Sequence, residues 1–503
     1  MVTSMILDVV LGLLGLYLLF RVLGRPKATL PGPRPLPIIG NFLDMPKEKE
    51  WLTFTEWGGR WGPRIWVSVF GQNTLILNSF QDAVDLLEKR SAICSDRPFL
   101  AMGDLTGYNH TIGLTPYAEE RFRAIRKFYH QLMGTPTSVS KFYPIEEEEN
   151  RRFLQQLSMN TENLPVHIRK TASAIILRIS HGYRVQESND PFILLADTAT
   201  DDFSKILTGH FLVNLVPALK YLPDWIPGTG FKQMARSWAA TLDDMVELPH
   251  AYVKQQMAQG IAEQSLTSRL LEENVDMNPQ VEDHIKCAAS AVYSAGSETT
   301  AATIHAFFKA MILYPEVQRK AQEEIDAVIG DDMLPTCADR DKLPYVHALI
   351  LELLRWHTVA PCGVPHRVTE DNIFKGYFIP KGTVVITNLW AMAHDPDLYP
   401  DPMIFDPSRF LRTPGHEPQR DPRTITFGFG RRICPGRILA ETSIFLSCAM
   451  TLAVYDISKV EENGKALVPD PEQMTGLVSH PTPFKFTIRP RSKAAVALIN
   501  GTI

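Results

Sequence analysis

The feature that most constrains this chain is a ten-residue stretch near its C-terminal end, Phe-Gly-Phe-Gly-Arg-Arg-Ile-Cys-Pro-Gly, which ends at Gly436. Its one cysteine, Cys434, stands in a glycine-rich turn just after two arginines. Glycine lets a backbone approach a ligand closely because it has no Cβ, and arginine pairs well with carboxylates. The residues from Arg437 to Leu446 predict a helix, whose N-terminal dipole favours a thiolate at Cys434.

A thiolate on such a turn, beside an arginine that can pair a propionate, suits the proximal side of a haem iron. A cysteine near a turn can also be only a small buried hydrophobe. Here, however, the pattern Phe-x-x-Gly-x-Arg-x-Cys-x-Gly is complete, and the stretch resembles the cysteine loop of the cytochrome P450 family. The resemblance implies haem b with Cys434 as the axial metal ligand. It also implies cofactor contacts from the loop residues Phe427, Gly428, Gly430, Arg432 and Gly436.

The resemblance further implies the fold class, which is mainly α with small β-sheets in the cytochrome P450 fold. A single large haem domain would occupy residues 41–503, after an N-terminal membrane anchor at 1–23 and a basic, proline-rich hinge at 24–40. The 503 residues are 45% hydrophobic and 21% charged, which are ordinary values for a protein with a large core.

Charge and cysteine spacing exclude several other classes of protein. The net charge of -5 gives no sign of a nucleic-acid partner. The six cysteines are scattered without CxxC spacing, which argues against structural zinc and against a disulfide framework. Scattered cysteines of this kind fit a protein located in a reducing compartment.

The N-terminus carries an uncharged run from Val9 to Phe20, followed by basic residues. A spanning helix needs about 20 apolar residues, so the run is short, and Asp8 precedes it. A cleaved signal peptide is the alternative, but no Lys or Arg precedes the run. We expect a retained single-pass anchor in the endoplasmic reticulum membrane, with the catalytic domain on the basic, cytosolic side.

A second constellation lies within a long apolar stretch from His284 to Leu313, which predicts one helix. Its centre reads Ala-Gly-Ser-Glu-Thr-Thr, although glycine and threonine are poor helix formers. A Ser/Thr-rich kink in a core helix is the simpler interpretation. The segment nevertheless resembles the family's Gly-x-Asp/Glu-Thr motif, which implies that Thr299 presents a donor to dioxygen and that Glu298 relays protons.

Two further cofactor contacts follow from the resemblance. Arg126 occupies the arginine position of the family's Trp-x-x-x-Arg helix, whose arginine pairs a haem propionate, although Phe122 replaces the tryptophan. His366 is the candidate for a second propionate contact, with Arg367 as the alternative.

The remaining signals concern structure. Glu352 and Arg355 are three residues apart on a predicted helix, and the resemblance implies a buried triad with Arg409 that holds the cysteine loop. The acidic run 146–149 predicts a solvated helix face. The loop 97–116 and the region 200–230 correspond to the roof and lid of the substrate pocket.

The resemblance implies a monooxygenase that inserts one oxygen atom of O2 into a small lipophilic substrate. Electrons would come from a separate NADPH-cytochrome P450 reductase, with cytochrome b5 as a further donor, since no nucleotide-binding motif is evident. The particular residues in these motifs resemble those of fungal members of the family, which favours a role in fungal secondary metabolism. The substrate would be a terpenoid or an aromatic or indolic scaffold. The alternatives are a haem-thiolate enzyme that rearranges peroxides or dehydrates, and a non-catalytic haem-binding protein.

Overall fold

The computed structural model describes residues 30–209, 211–274, 278–462 and 464–501, together with Gly12 and Gly15. The predicted membrane anchor at 1–23 otherwise lies outside the described residues, and the predicted hinge is described only from Leu30 onward. In the described part of the chain, the helix Arg437–Val454 has the length and apolarity of a membrane span. It is 78% buried inside the protein, so it is a core helix.

Helices make up most of the described chain, as predicted. They are α1 Glu50–Trp61, α2 Phe80–Ala83, α3 Ser91–Cys94, α4 Ala101–Leu105, α5 Glu120–Met133, α6 Pro136–Val139, α7 Tyr143–Met159, α8 Leu164–His181, α9 Pro191–Thr208, α10 Leu212–Leu215, α11 Gly230–Ala258, α12 Leu266–Glu273, α13 Pro279–Leu313, α14 Pro315–Val328, α15 Pro344–Trp356, α16 Leu389–Ala393, α17 Arg423–Thr426, α18 Arg437–Val454 and α19 Lys493–Asn500.

The strands form small sheets. They are β1 Arg64–Val69, β2 Gln72–Leu77, β3 His366–Arg367, β4 Asn372–Phe374, β5 Tyr377–Ile379, β6 Val384–Thr387, β7 Tyr455–Ser458, β8 Glu461–Glu462, β9 Lys465–Ala466 and β10 Thr487–Pro490. The largest sheet has the order β1-β2-β6-β3, and the others are the pairs β10-β7, β4-β5 and β8-β9. β1 and β2 form an antiparallel hairpin, in which Arg64 is paired with Leu77.

Helix α13 crosses the middle of the molecule and separates its two largest apolar clusters. It begins cleanly because the Asn278 side chain accepts a hydrogen bond from the Val281 N–H (2.9 Å) and Pro279 fits the first turn. The predicted single helix is confirmed, and its C-terminal half is almost entirely buried. One long buried helix can therefore present a short polar segment to an interior cavity.

The predicted triad of Glu352, Arg355 and Arg409 forms a buried group of ion pairs. Two nitrogens of Arg355 donate to the two carboxylate oxygens of Glu352 at 2.7 and 2.8 Å, and Arg409 donates to Glu352 at 3.4 Å. Glu352 also accepts the Asp406 N–H at 2.8 Å, which joins α15 to the segment before the cysteine loop. Removing one member would leave a buried charge without its partner.

The acidic run 146–149 is not a solvated face, so that prediction is wrong. Glu146 is fully buried and accepts a hydrogen bond from the Ser443 hydroxyl at 2.5 Å, which joins α7 to α18. Burial raises the pKa of Glu146 to about 8. Glu149 is also buried and pairs with Arg178 on α8 at 2.8 Å. Half of the run therefore faces neighbouring helices, because helical spacing places consecutive residues on different sides.

Candidate active site

The cysteine loop is shaped by two glycines with left-handed backbone conformations. Gly428 has φ 78° and Gly430 has φ 62°. A Cβ on Gly430 would lie 2.1 Å from the Leu87 carbonyl oxygen, so this glycine is required by protein packing. Its predicted contact with the cofactor stays a prediction. The turn closes where the Cys434 N–H donates to the Phe427 carbonyl at 2.9 Å, and this is the role of Phe427 in the loop.

Cys434 lies just before α18, as predicted, and Gly436 is the N-cap of that helix. Burial raises the pKa of the Cys434 thiol, while the Gly436 N–H and the charges of Arg126 and Arg437 act in the opposite direction. The predicted thiolate is therefore opposed by desolvation and favoured by the helix terminus and the two arginines. A coordinated metal ion deprotonates a thiol directly.

A cavity of about 210 Å³ lies between the cysteine loop and α13. Cys434, Gly436 and Leu439 line one side, and Ala295 and Thr299 of α13 line another. Ala295 is exposed although it lies in the middle of a largely buried helix, because it faces this space. The loop predicted to form the roof supplies Ile112 and Gly113. The cavity thus joins the two constellations found in the sequence.

Three arginines, Arg97, Arg126 and Arg432, line the same cavity. Arg432 donates to the carbonyls of Ser95 at 2.8 Å and Thr115 at 2.6 Å. Arg126 donates to the carbonyl oxygen of Ile433 at 2.8 Å. Arg97 donates to the carbonyl oxygens of Gly113 (3.0 Å), Val364 (2.6 Å) and Pro365 (2.8 Å).

No Asp or Glu of the described chain has an oxygen within 4 Å of these three guanidinium groups. Burial and the neighbouring charge of Arg432 lower the pKa of Arg97. Burial also lowers the pKa of Arg432 to about 10, which Asp96 partly opposes. Buried cations of this kind fit a ligand that carries carboxylates, and haem b carries two propionates. The donor set around the cavity therefore fits a haem group with Cys434 facing its iron.

Phe122, at the position where the family has a tryptophan, packs beneath one of these arginines. The guanidinium carbon of Arg432 lies 4.0 Å from the centre of the Phe122 ring, which is a cation-π contact. The substitution therefore keeps an aromatic support for an arginine, but it removes a hydrogen-bond donor from the rim of the cavity.

The structure separates the two candidates for the second propionate contact. His366 is buried, and its Nδ1 lies 2.8 Å from the Cys94 carbonyl oxygen. Burial and the charges of Arg97 and Arg432 lower the pKa of His366 to about 3, so it is neutral at pH 7. Arg367 is partly exposed and lies 3.8 Å from Asp96. His366 therefore belongs to the arginine cluster, and Arg367 lies outside it.

The polar segment of α13 divides its side chains between two environments. Thr299 lines the cavity, and its hydroxyl donates to the Ala295 carbonyl at 2.8 Å. Gly296 also lines the cavity, and a Cβ on it would lie 3.0 Å from Ile176, so this glycine permits close packing of α8 as well. The hydroxyl oxygen of Thr299 keeps lone pairs that can accept a hydrogen bond from a group in the cavity.

Glu298 does not join Thr299 at the cavity wall. Its two oxygens are held by Arg169 of α8 at 2.5 Å and by His480 at 2.6 Å. Burial acts to raise the pKa of Glu298, but the hydrogen bond from His480 and the charge of Arg169 outweigh it, so the pKa is lowered. Arg169 also pairs with Asp197 of α9 at 3.1 Å. The carboxylate is therefore already held by the cation of Arg169 and by a hydrogen bond with His480.

Sequence reasoning missed Arg97, Arg169 and His480. Arg97 stands in an irregular segment, Arg169 on an ordinary amphipathic helix, and His480 in a C-terminal turn between prolines and apolar residues. None of the three belongs to a spaced motif, so no local signal distinguishes them from surface residues. Only the packing of distant segments brings them to the site.

Comparison with known proteins extends this resemblance over most of the chain. The cytochrome P450 family model matches residues 30–488. Cytochrome P450 monooxygenase 208 of Postia placenta is 49% identical over 473 residues, covering 94% of this chain and 92% of the relative. Cytochrome P450 monooxygenase claR of Ampulloclitocybe clavipes is 46% identical over 498 residues, covering 98% and 92%. Cytochrome P450 monooxygenase ppsD of Aspergillus oryzae is 42% identical over 482 residues, covering 94% and 91%. The chain belongs to the cytochrome P450 family of oxidoreductases, whose cofactor is haem b with a cysteine thiolate on its iron.

Proposed function

We propose that this protein is a monooxygenase that inserts one oxygen atom of O2 into a small lipophilic molecule of fungal secondary metabolism. The observation that carries the proposal is the cavity shared by Cys434 and Thr299, with three arginines at its side that have no carboxylate partner in the described chain. Haem b, when bound, supplies the iron at which dioxygen is reduced. The other cavity walls are largely apolar, which favours a lipophilic substrate such as a terpenoid or an aromatic or indolic scaffold.

Each residue has a separate task in this proposal. Cys434 would supply the thiolate that holds the iron, and the closed turn and the buried ion pairs of Glu352 keep this residue in place. Arg97, Arg126 and Arg432 would bind the propionates, with neutral His366 near them. These contacts would fix the orientation of the cofactor in the cavity.

Thr299 and Glu298 supply protons on the other side of the cavity. The Thr299 hydroxyl can hold a water or a reacting oxygen by hydrogen bonding, and Glu298 can pass a proton to that position through water. Splitting the bond of dioxygen requires protons as well as electrons, so a missing relay should release peroxide instead of product.

Electrons should come from a separate NADPH-cytochrome P450 reductase, with cytochrome b5 as a further donor. We place the protein on the endoplasmic reticulum membrane, anchored by residues 1–23. Exposed apolar side chains near the lid, Leu212, Tyr221 and Trp225, support contact with a bilayer. Alkaline extraction of microsomes tests this location, because an anchored protein stays in the pellet and a peripheral one is released.

The function is tested first by the carbon monoxide difference spectrum of the reduced protein, wild type beside Cys434→Ser. A red-shifted Soret band in the wild type alone supports thiolate ligation by Cys434. Haem-loaded wild type without this band contradicts it.

Turnover is then measured with reductase, NADPH, 18O2 and a panel of lipophilic compounds chosen by spectral shift. Incorporation of one labelled oxygen supports a monooxygenase. Conversion of a hydroperoxide without NADPH would instead indicate a rearranging enzyme, and neither reaction would indicate a haem-binding protein. Thr299→Ala should keep NADPH consumption but release peroxide, and unchanged coupling would remove Thr299 from the relay.

A further inference from the structure

His480 connects the buried carboxylate of Glu298 with the protein surface. Its Nε2 lies 2.6 Å from a Glu298 oxygen, and its side chain is 29% exposed, whereas that of Glu298 is 13% exposed. Among the described residues, no group forms a hydrogen bond with the other ring nitrogen, Nδ1. One face of the imidazole therefore contacts the acid, and the other nitrogen is available to solvent.

A groove of about 420 Å³ runs from the surface to this pair, and His480 and Arg169 line it. Its rim is open to water, because Val166 and Met474 are exposed at 62% and 46%. The groove is separate from the cavity beside Cys434, since Ala301 and His305 line it while Ala295 and Thr299 line the cavity. Water thus reaches His480 by a route that does not pass through the substrate space.

We propose that His480 is the positioning residue through which protons from solvent enter towards Glu298 and Thr299. An imidazole can accept a proton at Nδ1 from water and release one from Nε2 to the carboxylate. Each cycle takes one proton from solvent and delivers one to Glu298, with no change in electrons. The ring then returns to its starting tautomer by exchange with groove water. The inference rests on the proton role of Glu298 proposed above.

The surroundings of His480 favour this direction of transfer. Burial lowers the pKa of His305 to about 4 and that of His357 to about 3, so both are neutral at pH 7. The titratable and charged groups around His480 are Glu298, His305 and Lys309 of α13, Arg169 of α8, Asp197 of α9, Glu162 on the groove rim and His357 after α15. A proton arriving through the groove therefore meets His480 directly in front of the carboxylate.

The test compares wild type, His480→Gln, Glu298→Gln and the control His305→Gln, each reconstituted with reductase and NADPH. The amide side chain of His480→Gln would keep a hydrogen-bond donor but could not carry a proton. His305 lines the same groove, where it stacks on Phe484 at 4.9 Å, and so controls for a change in groove shape. The reaction is followed without an organic substrate, so consumption of one NADPH per O2 indicates reduction to peroxide and consumption of two NADPH per O2 indicates reduction to water.

A positioned general acid contributes about 10²- to 10⁴-fold, and groove water should replace part of this. We expect His480→Gln to lower the rate of water formation by at least about tenfold, to shift the stoichiometry towards peroxide and to increase the solvent isotope effect. The pH profile should lose its imidazole limb, while His305→Gln behaves like wild type. His480→Asn serves as a second variant if His480→Gln melts at a lower temperature.

A measurement on the resting protein is independent of turnover. The infrared carboxylic acid band assigned to Glu298, by its absence in Glu298→Gln, should appear at higher pH in His480→Ala, because this variant removes the hydrogen bond that lowers the pKa of Glu298. An unchanged infrared band overturns the role of His480 alone. The same conclusion follows if His480→Gln has the wild-type pH profile and isotope effect while Glu298→Gln is impaired. Equal defects in His305→Gln and His480→Gln also overturn it. Normal behaviour of Glu298→Gln overturns the proposed proton relay itself.

Discussion

The two sides of the cavity treat charge in opposite ways. Beside the cysteine loop, Arg97 is buried and Arg126 and Arg432 are partly buried, all with carbonyl oxygens as their partners and no carboxylate of the described chain within 4 Å. On α13, the carboxylate of Glu298 already has two protein partners, Arg169 and His480. The three arginines lack a protein counterion, which marks the place where an anionic cofactor binds. Glu298 has protein partners, and one of them, His480, connects it with solvent.

The largest effect should come from breaking the cation cluster. Arg432→Ala removes hydrogen bonds to three backbone carbonyls and the stack on Phe122. Each hydrogen bond from a charged donor is worth about 1.5–3 kcal/mol. We expect the haem affinity of Arg432→Ala to fall at least about tenfold, which corresponds to about 1.4 kcal/mol, and the purified variant to retain less haem than the wild type. The pyridine haemochrome assay measures this.

Arg367→Ala is the matched control, because Arg367 lies near the cluster but is directed to Asp96. It should retain haem as the wild type does. Equal haem loss in the two variants would mean that general positive charge, and not the cavity arginines, holds the cofactor.

The next largest effect is expected on stability at Glu298, whose carboxylate has two protein partners. Glu298→Gln should lower the free energy of unfolding by about 1–3 kcal/mol at neutral pH, because Arg169 and His480 lose a charged acceptor. The folded-state pKa of Glu298 is lowered, so its contribution is present above the ordinary value of about 4.3 and is lost as the pH falls through the folded pKa.

Urea unfolding of both proteins between about pH 3 and pH 7 measures this difference. The gap between wild type and Glu298→Gln should close at the acid end. A gap that stays constant with pH would show that the carboxylate is not ionised in its ion pair.

A smaller effect of opposite sign is expected at Asp197, the second acid on Arg169. Burial raises the pKa of Asp197 to about 6, although Arg169 opposes this. A raised carboxyl pKa means that stability falls as the pH rises from about 4 to about 6. Asp197→Asn should therefore be more stable than wild type by about 1 kcal/mol at pH 7 and equal to it near pH 4. Thermal melting at the two pH values checks this, and destabilisation at pH 7 would contradict it.

The smallest effect should come from restoring the family residue beneath Arg432. Phe122→Trp adds an indole face and an N–H donor at the rim of the cavity. Cation-π contacts are strongest with tryptophan, and the gain should be about 0.5 kcal/mol. Slower transfer of haem to apomyoglobin, by about twofold, would support this. Faster transfer would mean that the larger ring does not fit the site.

Residues in continuous motifs could be predicted from the sequence. The cysteine loop, Thr299 and the Glu352–Arg355 pair are each defined by local spacing, and the structure places them as expected. The helix around Thr299 was also predictable, because its apolar stretch contains no proline.

Residues that act through distant segments could not be predicted. Arg97, Arg169 and His480 come from three separate parts of the chain and meet the site only through tertiary packing. The burial of Glu146 was missed for the same reason, since a run of four acids carries no information about which of them faces Ser443. The side of α13 to which Glu298 points depends on α8 and the C-terminal turn, which local pattern does not reveal.

The cluster of three cavity arginines also bears on how a cell produces this protein. Before the cofactor arrives, the positive charges of the three arginines repel one another, and the newly folded chain is weakened at the place where α5, the roof loop and the cysteine loop meet. A ligand that binds only the folded state stabilises it by about 2.7 kcal/mol at a hundredfold excess over its dissociation constant. The supply of haem during synthesis should therefore determine how much of the protein survives proteolysis, so expression hosts fed with a haem precursor should accumulate more of the chain itself.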